Sequence, residues 1–359
     1  PDLDQHPSSR IMEVFESQTD RCVYICAPMV RYSKLAFRQL VRDYGVDLAF
    51  TPMLLADSFS RSARARDVEF TTNAQDRPLI VQFAANQVDD FVAAASLVRP
   101  FCDGVDLNCG CPQGWALKEG IGACLIHKPE FVADLIRQTR ARNPDLPVSV
   151  KIRIHKDTRQ TVDFCRQMEA AGAAFITIHG RTREQRCQPV NLDVIRDVKQ
   201  SLRVPVIANG DVKSLADAQR IREYTGINGV MTARGILENP AMFHGHLETP
   251  AECVQDWIRL SLGTGTPFPC FHHHLSYMCD RAFSRYDRRI FNTLSSTSAE
   301  ERRQRAAAAA QRRMEESDSR GVKDPHAVQA KLAKREELER REREADQSGG
   351  GAALRWQTE

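Results

Sequence analysis

The sequence has no apolar run approaching the roughly 18 residues of a membrane-spanning helix, so no membrane association is expected. It also lacks charge of one sign: 50 Lys+Arg against 47 Asp+Glu leave a formal charge of +3 over 359 residues. Bulk electrostatics therefore does not announce a nucleic-acid binder, and any such role must rest on local patches. Residues 1–20 form a polar, acidic segment without the hydrophobic stretch of a signal peptide, so secretion is not expected. The eleven cysteines are odd in number and thinly spread, which fits reduced thiols in the cytoplasm, with the nucleus equally open, better than a disulfide framework. Cys109 and Cys111 are spaced C-x-C rather than C-x-x-C, with no second pair at zinc-site spacing, so no metal is expected.

What is present is ample for a packed core, with 42% apolar and 27% charged residues. Eight short, β-branched runs recur along the chain: Val23–Met29, Leu48–Leu54, Leu79–Ala84, Gly104–Gly110, Val148–Ile154, Phe175–Gly180, Val204–Gly210 and Gly229–Gly235. Most are separated by segments of helical period, such as Phe37, Leu40, Val41 and Tyr44 behind a candidate Ser33 N-cap. Eight alternating units with strands apolar on both faces predict an α/β fold, a (β/α)8 TIM barrel over residues 21–245. A doubly wound sheet is the alternative. Residues 246–298 read as a small C-terminal helical appendage, broken by the Gly, Thr and Pro cluster at 263–269. Residues 299–359 are a charged low-complexity tail rich in Ala, Arg and Glu, with no aromatic residue between Phe291 and Trp356; a solvated or partly formed helix is expected there.

In such a barrel the active site is built at the carboxyl ends of the strands, and these ends are unusually polar. They carry Pro28 and Met29, Gln82, Asn108 to Cys111, Lys151 and Arg153, His179 and Arg181, Asn209 to Asp211, and Ala233 to Gly235. Gly210 and Gly235 permit tight turns and Arg234 offers a charged fork, a combination suited to a phosphate-bearing cofactor. Lys151, between Val150 and Ile152, points inward by alternation and needs an anionic partner, either an internal carboxylate such as Asp106 or a cofactor. Cys111, just beyond a strand, has the exposure of a reactive thiol, and a thiol mostly protonated at neutral pH can serve as a proton donor. His272, His273 and His274 are consecutive and cannot share one metal face of a helix. Arg281, Arg285, Arg288 and Arg289 have spacings that bring most of them to one helical face, either solvated or in contact with a phosphate backbone.

Taken in order, Ala27–Met29, Thr51–Met53, Leu79–Phe83, Asp106–Cys111 with Pro112, Val150–Arg153, Ile178–Thr182, Ile207–Asp211 and Val230–Gly235 resemble the tRNA-dihydrouridine synthase family, most closely its eukaryotic 20a/20b subfamily. The resemblance runs from about residue 22 to 298 and implies an oxidoreductase that reduces the C5–C6 bond of D-loop uridines with NADPH or NADH through bound FMN. By carry-over, Pro28, Met29, Gln82, Lys151, His179, Asn209, Gly210, Asp211, Ala233, Arg234 and Gly235 hold FMN. Lys151 and His179 would face charge on the reduced flavin, and Cys111 would protonate C5. Asn108, Arg153, Arg181, Arg281, Arg285 and Arg288 would contact tRNA, with the chain acting as a monomer. The competing readings are an FMN barrel acting on a free pyrimidine or small enone, and a non-catalytic RNA-binding barrel. The sequence departs from the family after residues 294–299, where the Ala, Arg and Glu tract begins.

Overall fold

The structure is a computed structural model that describes residues 7–18 and 20–294; the expected tail at 299–359 lies outside the described residues. Nine strands in chain order form the sheet: β1 Val23–Cys26, β2 Leu48–Phe50, β3 Leu54–Leu55, β4 Leu79–Ala84, β5 Gly104–Cys109, β6 Val148–Arg153, β7 Ile176–His179, β8 Val206–Asn209 and β9 Gly229–Thr232. All pairings are parallel, in the order β2-β1-β9-β8-β7-β6-β5-β4, and β2 pairs with β4 to close the ring. This is the expected (β/α)8 barrel. The strands are hydrophobic on both sides because their outward residues, such as Val105, Leu107, Val150 and Ile152, are sealed under helices.

The run Leu48–Leu54 was expected as one strand but is two pieces, since β2 stops at Phe50 and only Leu54 and Leu55 rejoin β4. Pro52, between them, has no N–H to offer a ladder. Ser33 is likewise not the cap of the helix Leu35–Asp43, whose N-cap is Lys34. Its hydroxyl is engaged by the preceding loop, accepting from the Met29 N–H at 2.9 Å.

The polar N-terminal segment contains an ordered element that composition did not suggest. Helix Pro7–Glu16 places Ile11 and Phe15, four residues apart, on one face, and both are buried. Phe15 lies 5.6 Å from Phe175, which precedes β7, and Arg10 pairs with buried Asp103, which precedes β5, at 2.6 Å. The helix therefore covers the amino-terminal end of the barrel, opposite the mouth.

After β9 come helices Ala251–Gly263, Phe268–Met278 and Arg285–Leu294. The first two pack on helix Leu35–Asp43 around Trp257 and His274: the His274 ring is 4.3 Å from Phe37 and 4.4 Å from Trp257. His272 is also buried, whereas His273 is exposed, so the histidine triplet is divided between packing and surface.

Candidate active site

The inward side chains near the carboxyl ends of β4 to β8 are polar and joined to one another. Gln82 donates from Nε2 to Asp106 Oδ2 at 2.8 Å, and its Oε1 accepts from Asn108 Nδ2 at 2.9 Å. Ser149 Oγ donates to Asp106 Oδ1 at 2.7 Å. Burial pushes the Asp106 carboxyl up to about 6, against the opposing pull of these hydrogen bonds and of Lys151. The alternative of an Asp106–Lys151 ion pair is not realised; the Asp106 oxygens accept from Gln82 and Ser149. Lys151 Nζ instead reaches to Asn209 Oδ1 at 2.8 Å and makes no ion pair among the described residues. Burial, with the charge of Arg153, brings this ammonium down to about 8.

Strand register continues the set toward the mouth, where Arg153 pairs with His179 and His179 with Asn209. Burial and the charges of Lys151, Arg153, Arg181 and Arg234 push His179 down to about 2. Its imidazole is therefore neutral at physiological pH, a hydrogen-bonding group rather than a cation. Two guanidiniums expected to meet substrate are already tied to the mouth loops. Arg153 donates to the carbonyls of Gly110 at 3.0 Å and Thr182 at 2.9 Å, and Arg181 pairs with Asp211 at 2.5 Å and donates to the Gln188 carbonyl. Gly210 sits at φ +115°, where a β-carbon would stand 2.5 Å from Val190 Cγ1 and 2.8 Å from His179 Cδ2, so only glycine fits.

A cleft of about 740 Å3 opens beside these residues. His179, Asn209, Gly210, Asp211, Ala233, Arg234 and Gly235 line it, as do Arg153 and Arg181. Sequence reasoning missed three further basic residues there, Arg183, Arg186 and Lys213, together with Trp115. The arginine density of the strand-end stretch 181–186 was the available signal. Six basic side chains against Glu184 and Asp211 give the cleft a positive bias. Arg186, Lys213 and Arg234 make no ion pair among the described residues. Its volume, its glycine turn and its unneutralised donors suit an anionic, phosphate-bearing group.

Cys111 lies on the loop after β5, and its Sγ is free. Asn108 Oδ1 accepts from both the Gly110 and Cys111 N–H groups, at 3.1 and 2.9 Å, and the Cys111 carbonyl accepts from Ala123 N at 2.9 Å. Asn108 thus shapes the cysteine loop. On the loop after β1, Met29 is buried and Pro28 partly so, and Ser33 fastens the turn.

Of the four arginines expected mostly on one helical face, Arg285, Arg288 and Arg289 share helix Arg285–Leu294 at i, i+3 and i+4, and only Arg281 falls outside it. Arg281 lies in the turn before helix Arg285–Leu294, because Ser284 begins a new helix by accepting from Asp287 N at 3.1 Å. Arg281 is 3.9 Å from Glu248, and Arg288 folds back on Asp280 at 3.3 Å. Arg285 and Arg289 are exposed on the helix itself.

Residues 25–336 match the family model described as dihydrouridine synthase. A Mus musculus protein named tRNA-dihydrouridine(20a/20b) synthase-like is 56% identical over 290 residues, covering 80% of this chain and 89% of its own. Its Homo sapiens counterpart is 54% identical over the same share of this chain and 91% of its own. The tRNA-dihydrouridine(20a/20b) synthase of Schizosaccharomyces pombe is 46% identical, covering 77% and 86%. With the match spanning the barrel, the cysteine loop and every polar strand end, the chain belongs to the dihydrouridine synthase family.

Proposed function

We propose that this chain is a tRNA-dihydrouridine synthase that uses FMN and NADPH or NADH to reduce D-loop uridines, 20a and 20b in particular. The observation that carries the reading is the basic cleft lined by neutral His179, Asn209 and the Gly210 turn, with Lys151 hydrogen-bonded to Asn209 behind it and Cys111 on the adjoining loop. FMN, when bound, supplies the hydride that adds to uracil C6.

The chain's own residues do the rest. Gly210, Arg234 and Gly235 receive the phosphate, with Lys213 beside them. Lys151 offers an ammonium, and His179 a neutral N–H, toward charge that accumulates on the ring system. Gln82 and Asn108, locked to each other, fix the floor, while Pro28 and Met29 form the opposite edge. Addition at C6 leaves enolate charge toward C5, and the Cys111 S–H donates its proton to that carbon. The uracil must leave its stack to reach the mouth, so the RNA needs a second grip. The region 246–298, through Arg281, Arg285 and Arg288, is assigned that role.

The test is to supply the protein with FMN, NADPH and tRNA lacking dihydrouridine, and to map reduced uridines by mass spectrometry. Product at 20a and 20b is expected. Flavin reduction by NADPH without product in tRNA would point to a small pyrimidine or enone substrate, and RNA binding without flavin turnover would leave only a binding protein.

A further inference from the structure

Trp115 is the large side chain at the mouth that the flavin and cysteine assignments leave without a role. Trp115 is 44% exposed on the short helix Gly114–Lys118, which is anchored through Ala116. The next residue, Ala116, is fully buried with Ala84 and Ile121, and the indole Nε1–H donates to Gln113 Oε1 at 2.7 Å. An aromatic face oriented by a local hydrogen bond beside a buried anchor loses less conformational freedom when it meets a flat partner.

The surroundings select that partner. Trp115 borders two clefts of opposite character. On one side lies the large cleft with Arg183, Arg186 and Lys213. On the other is a cleft of about 230 Å3 lined by Asp57, Glu119 and Asp90, of which only Asp90 has a basic partner among the described residues, Arg61 at 2.9 Å. A polyanion is drawn to the first and repelled from the second, so a strand crossing the indole runs its phosphates along the arginine side. A base in single-stranded RNA, with a π-face and a flanking phosphate, matches both halves of this arrangement.

We infer that Trp115 stacks on the nucleobase next to the target uridine, while Arg183 and Arg186 receive the adjoining phosphates. Cys111, on the loop after β5, and Trp115, in the short helix that follows it, are four positions apart, so the proton donor and the stacking surface are delivered together. The indole replaces part of the stacking that the neighbouring base loses when the uracil turns out. This inference rests on the proposed tRNA activity.

The experiment measures tRNA affinity and indole emission for the FMN-loaded full chain and two variants. Trp115→Ala is expected to weaken binding of tRNA lacking dihydrouridine by about tenfold, with Trp115→Phe restoring most of it. A short single-stranded D-loop oligonucleotide should quench the emission of the parent chain, and this quenching should vanish in Trp115→Phe. Affinity of Trp115→Ala within about twofold of the parent would overturn the inference. If that variant fails to retain FMN and is misfolded, the fluorescence arm decides, since quenching that persists in Trp115→Phe overturns the inference equally. Parent protein that reduces no uridine would defeat the tRNA reading itself, an outcome separate from either of these.

Discussion

Lys151 and Asn209, on strands two apart in the barrel, are joined by a 2.8 Å hydrogen bond across the mouth, and the intervening strand β7 contributes His179 beside them. The bond uses one of the three ammonium donors and leaves a cation in a half-buried place with no ion-pair partner among the described residues. That arrangement accepts an anion at little further cost.

Replacing Lys151 with Met should weaken FMN binding by about ten- to a hundredfold, the usual size of a lost hydrogen bond to a charged group. Titration of apoprotein with FMN, followed by flavin fluorescence, measures it. The ammonium titrates at about 8, so affinity in the parent should fall as pH rises through that value. The variant should show no such fall, and equal affinity in the two proteins would remove Lys151 from the site.

Cys111→Ala should retain FMN and still allow NADPH to reduce it, while dihydrouridine formation drops at least about a hundredfold, the scale of a lost general acid. Single-turnover mixing of the pre-reduced protein with tRNA separates the two steps. Product at the parent rate would show that the proton comes from elsewhere.

Gly122→Ala tests the placement of that thiol without touching it. Gly122 has φ +71°, and an added β-carbon would meet the Cys111 carbonyl oxygen at 2.7 Å. The cysteine loop must shift to accept it. Stability should fall by about 1–3 kcal/mol, and uridine reduction should slow with FMN retained. Melting temperature and single-turnover rate report the two effects.

His274 predicts an acid-sensitive fold. Burial holds its imidazole down to about 3 from 6.5, and the contact of Nε2 with the Tyr32 carbonyl at 3.2 Å puts the ring proton on Nε2. The unfolded chain binds a proton below 6.5 that the folded chain refuses until about 3, so stability is lost as pH falls through this window. The slope approaches about 1.4 kcal/mol per pH unit for this histidine. Asp106 opposes it: its folded pKa is raised from 3.8 to about 6, so its contribution declines as pH rises between those values. Denaturant midpoints from pH 4 to 7 should show a shallower acid loss in His274→Phe than in the parent. Parallel curves would contradict the assignment.

The barrel was legible because parallel strands sealed under helices need near-continuous apolar runs, and the strand-end residues followed from topology. Strand alternation correctly turned Lys151 inward, but no local pattern could choose between Asp106 and Asn209 as its partner. The folded barrel sets it, with Gln82 and Ser149 donating to Asp106 and Lys151 reaching across to Asn209. Ser33 looked like a helix cap because its hydroxyl was available in sequence, and only the folded turn showed it spent on Met29. Spacing gave Arg281 a helical neighbour in Arg285, whereas the restart at Ser284 parts them. Arg183 and Arg186 lie in a strand-end loop and Trp115 in a five-residue helix, segments too short for hydrophobic periodicity to carry information.

Helix Pro7–Glu16 leaves the ribosome before every surface it covers. Its Arg10 waits for Asp103, 93 residues later, and Phe15 waits still longer for Phe175. At roughly 5–20 residues per second, the delay to Phe175 is on the order of ten seconds. The helix is therefore placed long after it is made, and the amino-terminal end of the barrel is closed by a segment translated before the strands it covers.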